Sequence, residues 1–520
     1  MGVQSCTPIF YIGRIILISQ KHIKTSLLAT ILVGLVFGSC KEPITGDRNA
    51  NKAPSTNLTV EAINRGNDFR LSSQIKISWF GIDPDGYVIG YEYAINDTSE
   101  SAWTFTTKTD STFILPITPG QQNDDVLFKI RAVDNENLRD PVGARLVYPV
   151  VNSEPEVAIN RTQSPPDTLY SIASFGWSFS DPDGILNLDR TEIAVNDTVN
   201  GWVEIPFTES DEGQLFISLE VDNSTSGAKE ARVFLGKSYS TLQVDGQSLV
   251  IPGVKVGEKN TFYVRAIDAS ESKSNVDTLS WFIKEQKSKT LILNDYSGSN
   301  SAETLEFHLN ILNEGGLTPD VWNINDGEVV QGRVALSEAF PTVVDPTLEK
   351  TLAKWDHIYW ISNDMDRNIV YAQEILREFF SNGGTSFVNI PIKKMNTTDE
   401  VFNFIPVDSI ATGDYYLFQD TLVVPTPPLE ATLKVAAGGF ALVSAKPVKG
   451  ISGSKALYSA DYHRKTSRGF SAYNGYEQVA IENPEGNLVY FAIDLKNLNG
   501  NNNLGQLIQE LVVGRLGFKQ

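Results

Sequence analysis

The chain has 520 residues, of which 41% are hydrophobic and 20% are charged, enough apolar material for two or more globular domains. Its formal net charge of −20 at pH 7 argues against nucleic acid and anionic lipid surfaces as partners. The only two cysteines, Cys6 and Cys40, cannot supply a disulfide framework or a Cys-rich metal site.

The N-terminal segment has the pattern of a secretory signal. Arg14, Lys21 and Lys24 supply positive charge before the apolar run of residues 27–37 (LLATILVGLVF). That run is too short to span a bilayer. We therefore predict a signal peptide over residues 1–39, with an uncleaved or ordinary secretory segment as the alternative.

The tetrad Phe37-Gly38-Ser39-Cys40 resembles the lipobox of bacterial lipoproteins, although Leu is commoner than Phe at its first position. The resemblance implies cleavage before Cys40 and acylation of that residue, for example with palmitate. The protein would then be held at a membrane through its N-terminal lipid, and Cys40 would be its only thiol. The polar residues 40–57 are predicted to form a flexible tether.

An acidic chain that begins with Cys40-Lys41-Glu42 after cleavage also resembles the lipoproteins of Bacteroidetes-type bacteria. This resemblance implies a place in the cell envelope, in the outer membrane, with exposure at the cell surface.

Two segments of the first half repeat each other. Residues 79–86 (WFGIDPDG) match residues 177–184 (WSFSDPDG), and residues 131–134 (RAVD) match residues 265–268 (RAID). Apolar residues alternate along the strands predicted in each copy, and Asp, Pro and Gly lie between those strands. This pattern predicts two tandem β-sandwich domains. The predicted bounds are residues 58–152 and 153–286, with an insertion near residues 208–248 in the second copy.

The two copies resemble fibronectin type III and immunoglobulin-like modules, in which a Trp on an early strand packs beneath a strand that carries Tyr. In the first copy these would be Trp79 and the strand Gly90-Tyr91-Glu92-Tyr93. The resemblance implies the fold and says little about function; a binding or spacer role toward a protein or glycan is our hypothesis for these modules. We expect Trp79 and Trp177 in the cores, with a platform that stacks on a sugar as the alternative. The resemblance leaves the roles of Trp103 and Trp202 open.

The repeated Asp-Pro-Asp-Gly segment allows two interpretations. The pairs Asp83 with Asp85 and Asp181 with Asp183 could present oxygens to Ca²⁺ if further ligands converge on them. A tight turn, in which Asp accepts from its own backbone and Gly takes a positive φ, explains the same residues. We favour the turn, predict no cofactor, and keep calcium as the alternative.

After residue 286 the periodicity changes, and strands alternate with helices. The predicted strands are residues 290–294, 320–324, 357–361, 385–390, 440–444, 478–482 and 488–493, and the predicted helices are residues 302–313, 346–354, 369–380 and 504–515. This alternation predicts one α/β domain, residues 287–520, with a mostly parallel sheet covered on both faces.

The order of these elements, with Gly383-Gly384 before the strand at 385–390, resembles the class I glutamine amidotransferase-like fold. In that family the strand after the double glycine leads to a nucleophilic Cys. The corresponding position here falls near Pro391, and the glycines of the nucleophile turn are missing. The resemblance therefore implies the fold together with a degenerate site.

Four other residues are candidates for catalysis. Asp295, Asp364 and Asp366 follow predicted strands, at whose carboxyl ends α/β sites gather, and His463 lies in a polar loop. Helix capping is the favoured explanation of the aspartates. The sequence therefore favours a non-catalytic envelope protein. The alternative is a surface hydrolase that acts on glycan or peptide at the carboxyl edge of the sheet.

Overall fold

A computed structural model describes residues 50–59, 70–118, 120–207, 211–325, 329–330, 333–334, 339–341, 347–392, 400–443 and 445–520. The predicted signal peptide, Cys40 and the tether as far as residue 49 lie outside these ranges. The described residues form two β-sandwich modules and a C-terminal domain with a large mixed sheet.

The first module consists of two facing sheets. Its strands are β1 (Ser55–Thr59), β2 (Leu71–Ser72), β3 (Gln74–Ile82), β4 (Val88–Ile95), β5 (Thr104–Thr106), β6 (Asp110–Ile114), β7 (Asn123–Asp134) and β8 (Ala144–Val151). The sheet orders are β1-β3-β6 and β2-β8-β7-β4-β5. Because Ser55 already pairs with Ile82, residues 55–57 belong to the sheet and not to the predicted tether.

The core of the first module surrounds Trp79, which is 2% exposed. Its ring centroid lies 6.1 Å from that of Tyr91, 6.0 Å from Phe113 and 6.4 Å from Phe128. Tyr91 and Phe128 belong to one sheet, and Trp79 and Phe113 to the other. Trp79 therefore joins the two sheets, in the core position predicted for it.

The second module repeats this plan and adds to it. Its strands are β9 (Glu156–Ile159), β10 (Thr168–Leu169), β11 (Ile172–Ser180), β12 (Leu188–Val195), β13 (Val203–Ile205), β14 (Gln214–Val221), β15 (Gly227–Leu235), β16 (Ser240–Thr241), β17 (Gln243–Val244), β18 (Gln247–Ser248), β19 (Val250–Val256), β20 (Lys259–Asp268) and β21 (Asp277–Ile283). One sheet has the order β10-β21-β20-β12-β13, and the other has the order β16-β15-β14-β11-β9, with β19 on β15.

The added strands overlap the insertion predicted near residues 208–248 and continue to Val256. The edge strand β6 of the first module corresponds to β14, and in the second module β15 and β19 extend the sheet beyond it. The extra structure therefore runs from Gly227 to Val256. Buried Ala231 and Val233 on β15 explain why this hairpin joins the core and is not a loop.

The C-terminal domain contains many short strands. They are β22 (Thr290–Asp295), β23 (Asp320–Trp322), β24 (Val329–Val330), β25 (Arg333–Val334), β26 (His357–Ser362), β27 (Thr385–Asn389), β28 (Val407–Ile410), β29 (Tyr415–Phe418), β30 (Leu422–Pro425), β31 (Leu433–Lys434), β32 (Ala441–Leu442), β33 (Val448–Gly450), β34 (Lys455–Ala460), β35 (His463–Thr466), β36 (Gly469–Ala472), β37 (Gln478–Glu482) and β38 (Leu488–Phe491). Its α-helices are α1 (Ser301–Glu314), α2 (Thr347–Leu352), α3 (Ala372–Ile375), α4 (Arg377–Ser381), α5 (Val401–Phe404) and α6 (Leu504–Leu507), and a π-helix follows at Ile508–Arg515. Short 3₁₀-helices lie at Glu100–Ala102, Arg161–Gln163, Ile185–Asn187, Asn368–Tyr371 and Leu495–Leu498.

The main sheet of this domain is half parallel and half antiparallel, so the prediction of a mostly parallel sheet was wrong. Strands β23-β22-β26-β27-β38 are parallel neighbours, and β37-β34-β30-β31 continue the sheet in antiparallel pairing. Helices α1 and α6 cover one face, and α2, α3 and α4 cover the other. The strand predicted at 440–444 is not part of this sheet, because β32 belongs to a separate sheet with the order β32-β29-β35-β36.

One tyrosine fixes the second module to the C-terminal domain. Tyr170 is 1% exposed, and its ring centroid lies 5.5 Å from that of Trp322 and 4.7 Å from that of Trp355. Its hydroxyl donates to the carbonyl oxygen of Val321 at 2.9 Å. Lys354 and Glu220 form an ion pair across the same contact. The two units are therefore joined through a buried aromatic contact.

We predict that Tyr170→Ala lowers the free energy of unfolding by about 3–5 kcal/mol, because it removes a buried ring from a packed site. Tyr170→Phe should cost about 1 kcal/mol, since it removes only the hydrogen bond. Denaturant unfolding checks both values. Tyr87→Ala is the matched control, because Tyr87 is 66% exposed. An equal loss in the control and in Tyr170→Ala would contradict the docking role.

Candidate functional site

The carboxyl edge of the parallel strands borders a cavity. Strands β22, β26, β27 and β38 end side by side, and the residues that follow them line a space of ≈ 230 Å³. The lining residues are Tyr296, Asn363, Pro391, Leu442, Ala445, Ala492, Ile493, Asp494 and Asn497. This is the edge at which α/β proteins usually bind ligands.

Three polar side chains of this cavity are already hydrogen-bonded to protein groups. The Tyr296 hydroxyl donates to Asp494 Oδ2 at 3.1 Å, and burial raises the pKa of Tyr296 to about 12. Asp494 Oδ1 accepts from the backbone N–H of Lys496 at 2.9 Å, and Asn363 Oδ1 accepts from Ser297. Pro391, at the position where the amidotransferase resemblance places the nucleophile, has no nucleophilic atom to offer.

Asp295 lies behind this edge, with an exposure of 0%. Its Oδ1 accepts from Arg367 Nε at 3.2 Å and from Asn368 Nδ2 at 2.9 Å. Its Oδ2 is buried without a hydrogen bond. Burial raises the pKa of this carboxyl to about 6, against the lowering effect of Asn368 and Arg367. A carboxyl with this burial has the pKa of a general acid or base but no access for a substrate.

Asp364 and Asp366 follow β26 and are exposed. Asp364 Oδ1 accepts from the backbone N–H of Asp366 at 3.1 Å, and Ser362 Oγ donates to the carbonyl oxygen of Asp364 at 2.9 Å. The same hydroxyl lies 3.2 Å from the carbonyl oxygen of Asp295. The structure thus brings the three candidate aspartates to one corner of the sheet, where these contacts form turns.

His463 lies elsewhere, on β35 of the separate four-stranded sheet. Its ring centroid is 4.8 Å from that of Phe418, and its Nδ1 is buried without a hydrogen bond. The sequence predicted an exposed loop histidine, whereas strand pairing with Tyr416 leaves the residue half-buried. His463 and the three aspartates therefore belong to different sheets of the domain.

The second Asp-Pro-Asp-Gly segment lies at the joint between the modules. Asp183 Oδ1 accepts from Ser73 Oγ at 2.7 Å, and its Oδ2 accepts from the backbone N–H of Ser153 at 2.6 Å. Asp181 Oδ1 accepts from the backbone N–H of Asp183 at 2.7 Å, which forms the predicted turn. Burial, the largest effect, raises the pKa of Asp181 to about 6.

A third carboxylate completes the joint. Asp268 Oδ1 accepts from the backbone N–H groups of Ser270 and Ser272, both at 2.8 Å. Its Oδ2 accepts from Asn152 Nδ2 at 2.5 Å. One oxygen therefore holds the turn that follows β20, and the other holds the linker between the modules.

The first module has the same arrangement at its own N-terminal end. Asn51 Nδ2 donates to Asp134 Oδ2 at 2.6 Å, while Asp134 Oδ1 accepts from the backbone N–H groups of Glu136 and Leu138 at 2.8 Å. The backbone N–H of Lys52 donates to Asp85 Oδ2 at 3.1 Å. Asn51 and Lys52 therefore take the places of Asn152 and Ser153.

Sequence reasoning missed both asparagines, although a signal was present. Each module is preceded by Asn-x-x-Pro, as Asn51 to Pro54 and as Asn152 to Pro155. Within the described residues, no group of three or more His, Cys, Asp or Glu side chains is arranged to hold a metal ion. Among the calcium candidates, Asp85, Asp181 and Asp183 accept the hydrogen bonds described above. Asp83 Oδ1 accepts from the backbone N–H of Asp85 at 3.4 Å.

The two tryptophans with open roles are both covered by cations. The guanidinium of Arg131 lies 4.0 Å from the ring centroid of Trp103, and that of Arg265 lies 3.9 Å from the ring centroid of Trp202. The two modules thus have the same cation–π contact at equivalent positions. Each of these half-buried rings therefore has one face packed against an arginine.

Comparisons with known proteins concern the fold only. No family model matches the chain, and no curated protein matches it. Fibronectin(III)-like modules of CbhA from Clostridium thermocellum are 15% identical, with a TM-score of 0.15, over 44% of this chain and 94% of that one. The central fibronectin-III array of RIM-binding protein is 15% identical, with a TM-score of 0.13, over 46% of this chain and 71% of that one.

Chitinase ChiA74 from Bacillus thuringiensis is 13% identical, with a TM-score of 0.15, and the match covers 50% of this chain but 30% of the chitinase. Scores this low transfer no function, so the β-sandwich assignment rests on the strand pairing. Among the described residues, no helix is long and apolar enough to cross a membrane.

We predict that Asp295→Asn removes a pH-dependent cost of burial. Because the folded pKa of about 6 lies above the ordinary value of 3.8, the folded state binds more protons than the unfolded state between these pH values. The wild type should therefore lose up to about 3 kcal/mol relative to Asp295→Asn as the pH rises from 4 to 7. Denaturant unfolding of both proteins across this range measures the difference. A gap between the two proteins that stays flat or narrows as the pH rises would contradict the burial of an ionisable Asp295.

Proposed function

We propose that this chain is a lipid-anchored cell-envelope protein without catalytic activity, in which two β-sandwich modules form a stiff arm that carries the C-terminal domain. The observation that carries the proposal is the joint between the modules, where Ser73, Asn152, Asp183 and Asp268 are each at most 9% exposed. Bending this joint would unpair buried polar groups, which is costly, so the modules should keep one orientation.

A hydrogen bond between an asparagine amide and a buried aspartate occurs at both ends of the first module and supports a stiff arm. The chain that arrives from the predicted anchor is held at Asn51 by Asp134, as the linker is held at Asn152 by Asp268. Tyr170 continues the arm into the C-terminal domain through its buried contact with Trp322 and Trp355.

The C-terminal domain would act by binding. The likeness to the amidotransferase fold is part of this proposal, and it is supported by the parallel strands and the cavity at their carboxyl edge. The hydrolase alternative has less support, because Asp295 is sealed from solvent and His463 lies on another sheet. A protein or a glycan is the partner class proposed for the arm, and nucleic acid is disfavoured by the acidic charge.

The lipid anchor and the outer-membrane location rest on the lipobox resemblance at Cys40 and on the apolar run before it. A stiff arm has a physical purpose at a membrane, because it holds a binding domain at a set distance from the surface. The tether between residue 40 and the first module would allow the arm to tilt.

We predict that Asn152→Ala loosens the joint, because Asp268 loses its donor from the linker. Spin labels on Val142→Cys and Val199→Cys, in a chain with Cys6→Ala and Cys40→Ala, report the distance between the modules. These two valines are 77% and 81% exposed. The wild-type joint should give one narrow distance distribution, and Asn152→Ala a broad one.

Asn51→Ala is the matched control for this measurement. It removes the equivalent contact at the other end of the first module, so the width of the distance distribution should not change. A broad distribution in the protein with Asn152 intact, or equal broadening by both substitutions, would overturn the stiff arm.

We predict that Cys40→Ala moves the protein from the membrane fraction to the soluble fraction and abolishes its labelling with radioactive palmitate. Cys6→Ala is the matched control and should keep both properties, because Cys6 lies within the predicted signal peptide. Persistent sedimentation with membranes and unchanged labelling in Cys40→Ala would show that the anchor assignment is wrong.

A further inference from the structure

The separate four-stranded sheet of the C-terminal domain has two different faces. Tyr415 and Leu417 of β29 point into the domain core. Tyr416 and Phe418 alternate with them and lie on the outer face, where Phe470 of β36 joins them. The ring centroid of Phe470 lies 4.9 Å from that of Tyr416 and 5.1 Å from that of Phe418.

This outer face is aromatic and partly open to solvent. Phe440, on the segment that leads into β32, has its ring centroid 6.1 Å from that of Phe470. Phe440 is 63% exposed, Phe470 is 42% exposed and the neighbouring Val443 is 58% exposed. Clustered exposed apolar side chains of this kind mark interaction surfaces.

The strand beside this face, β36, is at the edge of its sheet. The backbone N–H of Tyr473 donates to the carbonyl of Tyr462 at 2.8 Å, so Tyr473 is a position that is hydrogen-bonded toward β35. In an antiparallel pair every second residue is bonded to the partner strand. The backbone N–H and C=O groups of Phe470 and Ala472 therefore point away from β35. They are directed toward the open edge, and all four residues of β36 are exposed.

The local charge is opposite to that of the whole chain. Arg464, Lys465 and Arg468 are exposed on the β35–β36 hairpin, and residues 463–472 contain no acidic side chain, while Asp461 and Glu477 flank them in the sequence. The chain as a whole has a net charge of −20. Lys465 pairs across the hairpin with Phe470, which places a cation beside the aromatic face.

We propose that this edge binds an extended acidic peptide of a partner protein, which adds a strand to β36. The peptide backbone would pair with Phe470 and Ala472, its apolar side chains would pack on Phe440 and Phe470, and its carboxylates would face the basic hairpin. The Phe470 ring is tilted by 53° to 87° against the rings of Tyr416, Phe418 and Phe440, so the aromatic face is uneven around it. This goes beyond the proposed stiff arm and rests on different residues, so either can fail alone.

The test uses the full chain with Cys40→Ala and a library of random ten-residue peptides displayed on yeast. We expect enrichment of peptides that alternate apolar residues with Asp or Glu. A synthetic copy of the most enriched peptide should bind at least tenfold more weakly to Ala472→Pro, which removes one outward N–H and keeps the bonds to β35. Phe440→Ser should weaken binding severalfold without touching the backbone.

Charge is tested with Lys465→Glu combined with Arg468→Glu, for which we expect at least a tenfold loss. The matched control, Lys237→Glu combined with Lys273→Glu, makes the same charge change on the second module and should keep the affinity within about twofold. Circular dichroism and the unfolding temperature confirm that each variant is folded.

Four results with peptides or with the chain alone would overturn the proposal, and a fifth concerns anionic glycans and lipids. The four are no enrichment, enriched peptides without acidic residues, equal affinity for Ala472→Pro, and self-association of the chain that Ala472→Pro abolishes. The last result would assign the edge to a second copy of this chain. Binding of polygalacturonate or of phosphatidylglycerol vesicles that requires Lys465 and Arg468 but not Ala472 would assign the hairpin to an anionic glycan or lipid instead.

Discussion

The arrangement of the modules depends on a buried contact between an asparagine amide and an aspartate that is itself fixed by a turn. Asp268 is 0% exposed and accepts hydrogen bonds at both of its oxygens, two from its own turn and one from Asn152. A buried carboxylate is costly unless donors surround it, so the turn and the linker must form together. The same contact is repeated at Asp134, so each module has a buried aspartate that binds an asparagine of the segment that precedes the module.

The need of buried polar groups for hydrogen-bond partners also explains why the polar side chains at the carboxyl edge of the parallel sheet are bonded within the protein. Side chains at this edge, including Tyr296, Asp494 and Asn363, bond to neighbouring protein groups. Asp295 bonds to Arg367 and Asn368 and has no route to solvent. By contrast, the aromatic face around Phe470 leaves its rings in water, which costs free energy in the isolated protein and is compensated when a partner covers them.

Several features could be read from residues alone because they depend on local pattern. The repeat with Trp79 and Trp177 predicted two sandwiches, and the apolar runs at β22 and β26, buried at every position, predicted parallel strands. The strands β35 and β36 were missed because they are exposed almost throughout, so no alternation of apolar residues marks them.

By itself, the sequence determined the acidic charge, the repeat and the turn at the second Asp-Pro-Asp-Gly, since each follows from residue type and spacing; the first copy forms a bend in which Gly86 does not take the positive φ that was predicted. Only the tertiary structure decided that Asn152 meets Asp268, that Tyr170 enters the C-terminal domain and that Asp295 is sealed while Phe440 is open. These facts depend on which distant segments pack together. Burial and hydrogen-bond partners are properties of the packed chain, and spacing along one strand does not contain them.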